Sequence, residues 1–107
     1  MNRGELWTVS GGVYAFKPRP ALIMQDDLFF ATESVVIVPL TTTMVGEAAT
    51  TRVAVPTKTG IAQPSYAMID KITTVRRSNL GARIGRVTPA LMVDIERSLL
   101  VFLGLVS

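Results

Sequence analysis

The sequence predicts an α+β chain that is mostly β: a small, strongly curved sheet or barrel capped by one helix near the C-terminus. Two observations predict it. Short β-branched runs follow one another between turn residues along most of the chain, and one well-signalled helix start stands close to its end. A third observation bounds the answer, since 107 residues that are 49% hydrophobic supply one core rather than two. Residues 1–107 are therefore expected to form a single domain.

The elements follow in order. Leu6-Trp7-Thr8-Val9, closed by Ser10-Gly11-Gly12, predicts a first strand and the loop after it. Lys17-Pro18-Arg19-Pro20 reads as a loop, followed by a strand over residues 21–25 that stops at Asp26-Asp27. Residues 35–40 are a continuous apolar run, too short for a helix and rich in β-branched side chains, as a buried central strand requires. Pro39 marks its expected end, because proline cannot donate to a ladder. Thr41-Thr42-Thr43 opens a loop through Gly46-Glu47-Ala48, and Arg52-Val53-Ala54-Val55 resumes a strand. Residues 56–64 have turn composition without periodicity and read as an exposed loop. Further strands are expected at residues 66–69, 71–75 and 83–87, the last alternating basic and apolar side chains as on an edge. Thr88-Pro89 signals the helix, a hydroxyl for the N-cap and a proline whose fixed φ suits the first turn. From there Leu91, Ile95, Leu99 and Phe102 recur at helical spacing, and Gly104 suits a left-handed stop. The sum is about six strands and one helix.

The chain has no Cys and no His. That excludes disulfides, thiolate nucleophiles and Cys-ligated metal centres, and it removes the side chain that most often moves protons near neutral pH. No metal and no cofactor are expected, so catalysis falls to Arg, Lys, carboxylates, hydroxyls or the substrate itself. Mean hydropathy is positive at +0.41, yet the most continuous apolar run, residues 99–106, is far shorter than the roughly 20 residues of a spanning helix. With Glu5 early and no apolar signal region at the start, the expected location is the cytoplasm, with no membrane association.

Eleven Lys and Arg stand against eight Asp and Glu, for a net charge of +3. Placement says more than the sum. No acid falls between Asp70 and Asp94, while Lys71, Arg76, Arg77, Arg83 and Arg86 all do. A strand, turn, strand unit would gather these five into a patch suited to polyanions, which Lys17, Arg19 and Arg52 would extend. A merely solvated surface explains the same charges. Eight of the eleven basic residues are Arg, whose donor fork matches phosphate better than an ammonium does. Arg19 is the most constrained of them, mounted between Pro18 and Pro20 and pushed toward extended geometry. Prolines that only set a turn are the plainer reading of that motif. Thr41, just past the central strand, is either a local backbone hydrogen-bonder or a hydroxyl presented to a ligand.

Several segments tie these positions together. They are Arg3-Gly4-Glu5-Leu6-Trp7, Lys17-Pro18-Arg19-Pro20-Ala21-Leu22-Ile23, Val38-Pro39-Leu40-Thr41, Gly60 with Ser65, Asp70-Lys71-Ile72-Thr73-Thr74, Leu80 with Ile84-Gly85, and a final Leu103-Gly104-Leu105. In this order, and over essentially the whole chain, they resemble the MazF/PemK (Kid) family of bacterial toxin endoribonucleases. The resemblance implies an SH3-like small barrel with a C-terminal α-helix, the fold shared by CcdB, MazF and PemK. It implies a homodimer that cleaves single-stranded RNA, expected to be messenger RNA, at short motifs and without a metal, inhibiting translation and growth. A MazE-like antitoxin with a disordered C-terminal tail would occupy the RNA groove. The family's catalytic arginine falls on Arg19 and its catalytic threonine on Thr41. Its groove serine falls on Ser65, and an acidic residue of some PemK-type members on Asp70. Lys17 and Thr42 beside the pair, with Lys71, Arg76, Arg77, Arg83 and Arg86, complete the expected substrate contacts.

Three departures stand out. Met68 occupies the place where PemK-type toxins carry an arginine two residues before the acid, which weighs against an Asp70-based mechanism. Thr73 occupies the place of an arginine in many MazF members, and the loop over residues 10–16, which usually shapes the substrate groove, is short. The chemistry tolerates the missing Cys and His, because the 2′-hydroxyl of RNA can itself attack the adjacent phosphorus. The protein then supplies charge where the phosphorane develops, from Arg19, and orientation, from Thr41. A 2′,3′-cyclic phosphate and a 5′-hydroxyl are the expected products. The alternative on the same fold is a CcdB-like gyrase poison, but that family depends on a C-terminal Trp-Gly-Ile, and the only Trp here is Trp7. A non-catalytic single-strand binder would stack bases on exposed aromatics. The chain has seven aromatics, and Trp7 and Phe102 are expected in the core.

Overall fold

The third strand organises the sheet. The computed structural model describes residues 1–11, 15–44 and 46–106. Among them seven strands, β1 (Glu5–Gly11), β2 (Ala15–Ile23), β3 (Ser34–Thr41), β4 (Arg52–Val55), β5 (Ser65–Met68), β6 (Thr73–Arg76) and β7 (Leu80–Arg86), precede one helix, α1 (Pro89–Phe102). The strand order is β4-β5-β3-β2-β1-β7 with β6 also on β3, and every pairing is antiparallel. One edge of β3 faces β2. The other faces β6 at residues 34–37 and β5 at Leu40 and Thr41. Both faces of β3 are covered, which is why its run is apolar without alternation. Val35 and Ile37 pack with Val9, Ala21, Ile23 and Val75, while Val38 and Leu40 pack with Leu6, Leu22, Val55, Ala67 and Ile69 under Met92 and Ile95 of α1.

Two proline expectations are corrected. Lys17-Pro18-Arg19-Pro20 is not a loop but the first half of β2, with Thr8 opposite Pro20 and Val9 opposite Arg19. Pro39 does not end β3, which continues through Leu40 to Thr41. Each proline sits where its missing N–H costs no ladder bond. Pairing of β2 with β3 begins only at Ala21 opposite Pro39, so Pro18 and Pro20 precede it. On the far edge of β3 the β6 ladder stops at Ile37 and the β5 ladder starts at Leu40, leaving Pro39 in the gap.

The barrel expected from the resemblance is an open one. Among the described residues no ladder joins β7 to β6 or to β4; a single 3₁₀ turn, Arg77–Asn79, carries the chain from β6 on β3 to β7 on β1. Residues 56–64 are less exposed than expected, because a 3₁₀ turn at Thr57–Thr59 folds Thr59 and Ile61 inward. Gly60 makes this possible, with φ +117° and its backbone against Ile84 and Gly85. The helix starts as the sequence predicts, with the Leu91 N–H donating to the Thr88 hydroxyl at 3.1 Å and Pro89 in the first turn. Its buried stripe runs through Met92 and Ile95, whereas Phe102 is 46% exposed and not in the core. Trp7 is half-buried against the cluster around Val9. No described helix is long and apolar enough to cross a membrane.

Candidate active site

Arg19 and Thr41 each lie two residues beyond the last pair of the β2–β3 ladder. That ladder pairs Ile23 with Ile37, Leu22 with Val38 and Ala21 with Pro39 and ends there, while Arg19 pairs with Val9 of β1 and Thr41 with Tyr66 of β5. Residues two apart along a strand point to the same face, so Arg19 lies on the face of Ala21 and Thr41 on that of Pro39, just beyond the last pair of the ladder. The Arg19 side chain is exposed and has no acidic partner among the described residues. Thr41 is half-buried, and its hydroxyl oxygen accepts the Thr43 N–H at 3.2 Å. That bond holds the oxygen in place and leaves the hydroxyl proton free to be donated elsewhere. Lys17 is exposed at the same end of β2. The loop over residues 10–16, expected to shape the groove, lies partly outside the described residues.

A cleft of about 220 Å³ adjoins the pair, lined by Pro20, Thr42, Ile61, Ala62, Gln63 and Ser65. Thr42 is exposed on it. Ser65 is buried, and its hydroxyl donates to the Gln63 carbonyl at 2.9 Å, so it shapes the loop and keeps only acceptor capacity toward a ligand.

Asp70 belongs to a different arrangement. It sits in the 3₁₀ turn Ile69–Lys71, ion-paired with the Arg52 guanidinium, whose side chain is only 7% exposed. The Arg52 Nε is buried without a partner among the described residues. Arg52 stands opposite Met68 in the β4–β5 ladder. The position that lacks an arginine in this chain therefore has one supplied from the neighbouring strand. Sequence reasoning placed Arg52 in a surface patch; the signal that separates the two readings is the alternation of residues 52–55 set against residues 65–68 as a pair of strands.

The five residues of the acid-free stretch are not gathered as expected. Because β6 lies on β3 and β7 on β1, they do not form one hairpin face. Arg76 and Lys71 are exposed. Arg77 is half-buried, its Nε donating to the Thr32 carbonyl at 3.0 Å and its Nη1 to the Met1 sulfur at 3.6 Å. Arg83 pairs with Glu5 at 2.8 Å, an acid far away in sequence and near in space. Arg86 is exposed beside Arg3 at a small cleft before α1. Glu5 also accepts the Asn2 N–H at 2.6 Å and the Trp7 indole N–H at 3.1 Å. Burial pushes its carboxyl pKa up, but those two hydrogen bonds with Arg83 and the chain amino group outweigh it and hold the value below its ordinary one. Among the described residues no three Asp and Glu are grouped so as to hold a metal ion.

Comparison with known proteins places this architecture. The chain is 49% identical, over 98% of both lengths, to the probable endoribonuclease MazF of Mycolicibacterium smegmatis. A mycobacterial endoribonuclease solved in complex with its cognate antitoxin superposes with a TM-score of 0.86 at 31% identity, covering 100% of this chain and 98% of the other. The MazE–MazF complex of Deinococcus radiodurans, at 18% identity, shares the fold with a TM-score of 0.80 over 97% and 96% of the two chains. An antiparallel sheet backed by a C-terminal helix is thus the architecture of a toxin class. Residues 2–103 match the model of the PemK-like, MazF-like toxins of type II toxin–antitoxin systems, and the chain belongs to that family.

Proposed function

We propose that this protein is the toxin of a toxin–antitoxin pair and a sequence-specific endoribonuclease that cuts single-stranded RNA without a metal. The observation that carries the reading is the exposed Arg19 guanidinium, without an acidic partner among the described residues, two residues from the end of the β2–β3 ladder beyond which Thr41 also lies. In the proposed reaction the 2′-oxygen of one nucleotide attacks the phosphorus that links it to the next, losing its proton as the bond forms. The bond from phosphorus to the 5′-oxygen breaks, and that oxygen takes up a proton. The products are a 2′,3′-cyclic phosphate and a 5′-hydroxyl. Arg19 stabilises the charge that grows on the non-bridging oxygens with two parallel N–H donors. Thr41, held by the Thr43 N–H, donates its free proton to one of them or orients the attacking hydroxyl. The Arg52–Asp70 pair gives Asp70 a structural partner, which favours the Arg19 and Thr41 chemistry over one that needs a free carboxylate there. Messenger RNA is the proposed target, a second copy of the chain and a MazE-like antitoxin are the proposed partners, and the cytoplasm is the proposed location.

Purified protein incubated with a long single-stranded RNA in excess EDTA is expected to cut it. Arg19→Ala is expected to lower the rate by roughly 100-fold or more, the usual cost of losing a transition-state donor, with an unchanged circular dichroism spectrum. Cutting by Arg19→Ala at the wild-type rate, or none by the wild type until magnesium is added, contradicts the proposal.

A further inference from the structure

The cleft beside Arg19 and Thr41 has the make-up of a site for something other than phosphate. Its six lining residues, Pro20, Thr42, Ile61, Ala62, Gln63 and Ser65, carry no charge. Phosphate sites are built from Arg, Lys and backbone N–H groups. A neutral cleft with apolar walls and a few polar groups suits a flat, uncharged ring with hydrogen-bonding edges. At about 220 Å³ it falls below the roughly 300–1,000 Å³ of pockets that take drug-sized ligands, the scale of one ring system rather than a stack.

One polar group in it is unspent. The amide of Gln63 is exposed and has no hydrogen-bond partner among the described residues. Gln25 shows what a structural glutamine looks like in this chain. Its amide nitrogen donates to the Phe29 carbonyl and the Thr32 hydroxyl, at 2.8 and 2.7 Å, and its oxygen accepts the Val36 N–H at 3.2 Å. Gln63 by contrast is held through its backbone, whose carbonyl takes the Ser65 hydroxyl proton. The loop that presents it is firmly seated. Thr59 donates twice to the Pro56 carbonyl, from N–H at 3.2 Å and from the hydroxyl at 2.7 Å, and Gly60 lies against the Ile84–Gly85 backbone. A side-chain amide offers one donor and one acceptor in a plane, the pattern that pairs with a base edge.

The cleft also stands in the right relation to Arg19. Pro20 and Thr42, which line the cleft, are the residues directly after Arg19 and Thr41. The cleft therefore begins one residue along the chain from each member of the charged pair. In a nucleotide the phosphate and the base lie at opposite ends of the sugar. With the sugar between the two, the phosphate meets Arg19 and the base enters the cleft.

We infer that this cleft binds one unstacked nucleobase next to the scissile phosphate and that Gln63 reads its edge, making Gln63 a specificity-determining residue. The inference rests on the ribonuclease reading and adds to it where one position of the recognised motif is read. The test maps 5′-hydroxyl ends on a pool of RNAs randomised around the cut, for the wild type and three variants with exposed substitutions, Gln63→Ala, Gln63→Glu and Ala62→Trp. Gln63→Ala is expected to flatten the base preference at one nucleotide position by about tenfold or more, the worth of a good edge contact. Gln63→Glu, which replaces a donor with an acceptor, is expected to shift the preferred base at that same position. Ala62→Trp, which fills the cleft, is expected to abolish the preference there. A wild-type preference profile in all three variants overturns the inference while leaving the ribonuclease reading intact. If no form of the protein cuts RNA, the ribonuclease reading fails, and fluorescence anisotropy with randomised, uncleavable 2′-deoxy single strands decides separately. A base preference in binding that Ala62→Trp removes supports the cleft, and equal binding by both proteins overturns it.

Discussion

Two arginines in this chain have opposite fates, and their neighbours decide which. Arg19 is exposed on β2 without an acidic partner among the described residues, while the Arg52 side chain is buried against Asp70. A buried pair that loses one partner leaves an uncompensated charge, at a cost of about 3–5 kcal/mol when both groups are enclosed. Asp70 is partly exposed, so Arg52→Met is expected to destabilise the protein by about 2–3 kcal/mol in urea unfolding. Asp70→Asn added to it should recover part of that loss; a double mutant as unstable as the two single losses summed contradicts the pairing. Glu5 makes a prediction about pH. Its carboxyl pKa is lowered in the folded chain, so its contribution is present above the ordinary value of about 4.3 and is lost as pH falls through the depressed one. Thermal unfolding midpoints of the wild type are therefore expected to fall more steeply below about pH 4.3 than those of Glu5→Gln. Parallel curves contradict this. Neither pairing was legible in the sequence, because Arg52 lies 18 positions from Asp70 and Arg83 is joined to Glu5 only by the pairing of β1 with β7.

At the scale of elements, local signals were legible wherever the deciding physics is local. The N-cap at Thr88, the proline after it and the apolar run of β3 needed no knowledge of the rest of the chain. The prolines of β2 and β3 were misread because their cost depends on which edge of the strand is paired, and only the assembled sheet specifies that. The same holds for residues 56–64, whose turn composition says loop but whose inward fold depends on β7. There the chains cross so closely that a Cβ on Gly85 would lie 1.7 Å from the Thr59 carbonyl oxygen. Gly85→Ala is accordingly expected to destabilise the protein by about 1–3 kcal/mol, as overpacking does, and to displace the loop that carries Gln63. Unchanged stability would show that the crossing is looser than described.

For the molecule as a whole, a net charge of +3 on a hydrophobic chain says little until the partners of each charge are known. The acid-free stretch suggested a single basic face, yet Arg77 is spent on a backbone carbonyl and Arg83 on Glu5. Arg19 is exposed without an acidic partner among the described residues, as are Lys17, Lys71, Arg76 and Arg86. The apolar excess in the composition also has a place, since Leu28, Phe29 and Phe30 on the turn after β2 and Leu100, Val101 and Leu103 at the end of α1 are exposed. Expected core positions such as Phe102 failed for the same reason, because helical periodicity identifies an apolar stripe without saying how far the core extends beneath it. The resemblance to the toxin family located the candidate pair, and the β2–β3 ladder leaves both of its members two residues beyond its last pair. The central claim is that the substrate's own hydroxyl is the nucleophile and that Arg19 stabilises what it forms. An RNA oligonucleotide carrying the preferred cut site, with one 2′-deoxy substitution on the nucleotide before the scissile phosphate, tests this most directly. The wild-type protein is expected to bind it, leave it whole and cut the all-ribose control to a 2′,3′-cyclic phosphate; cleavage of the substituted strand at that site contradicts the mechanism.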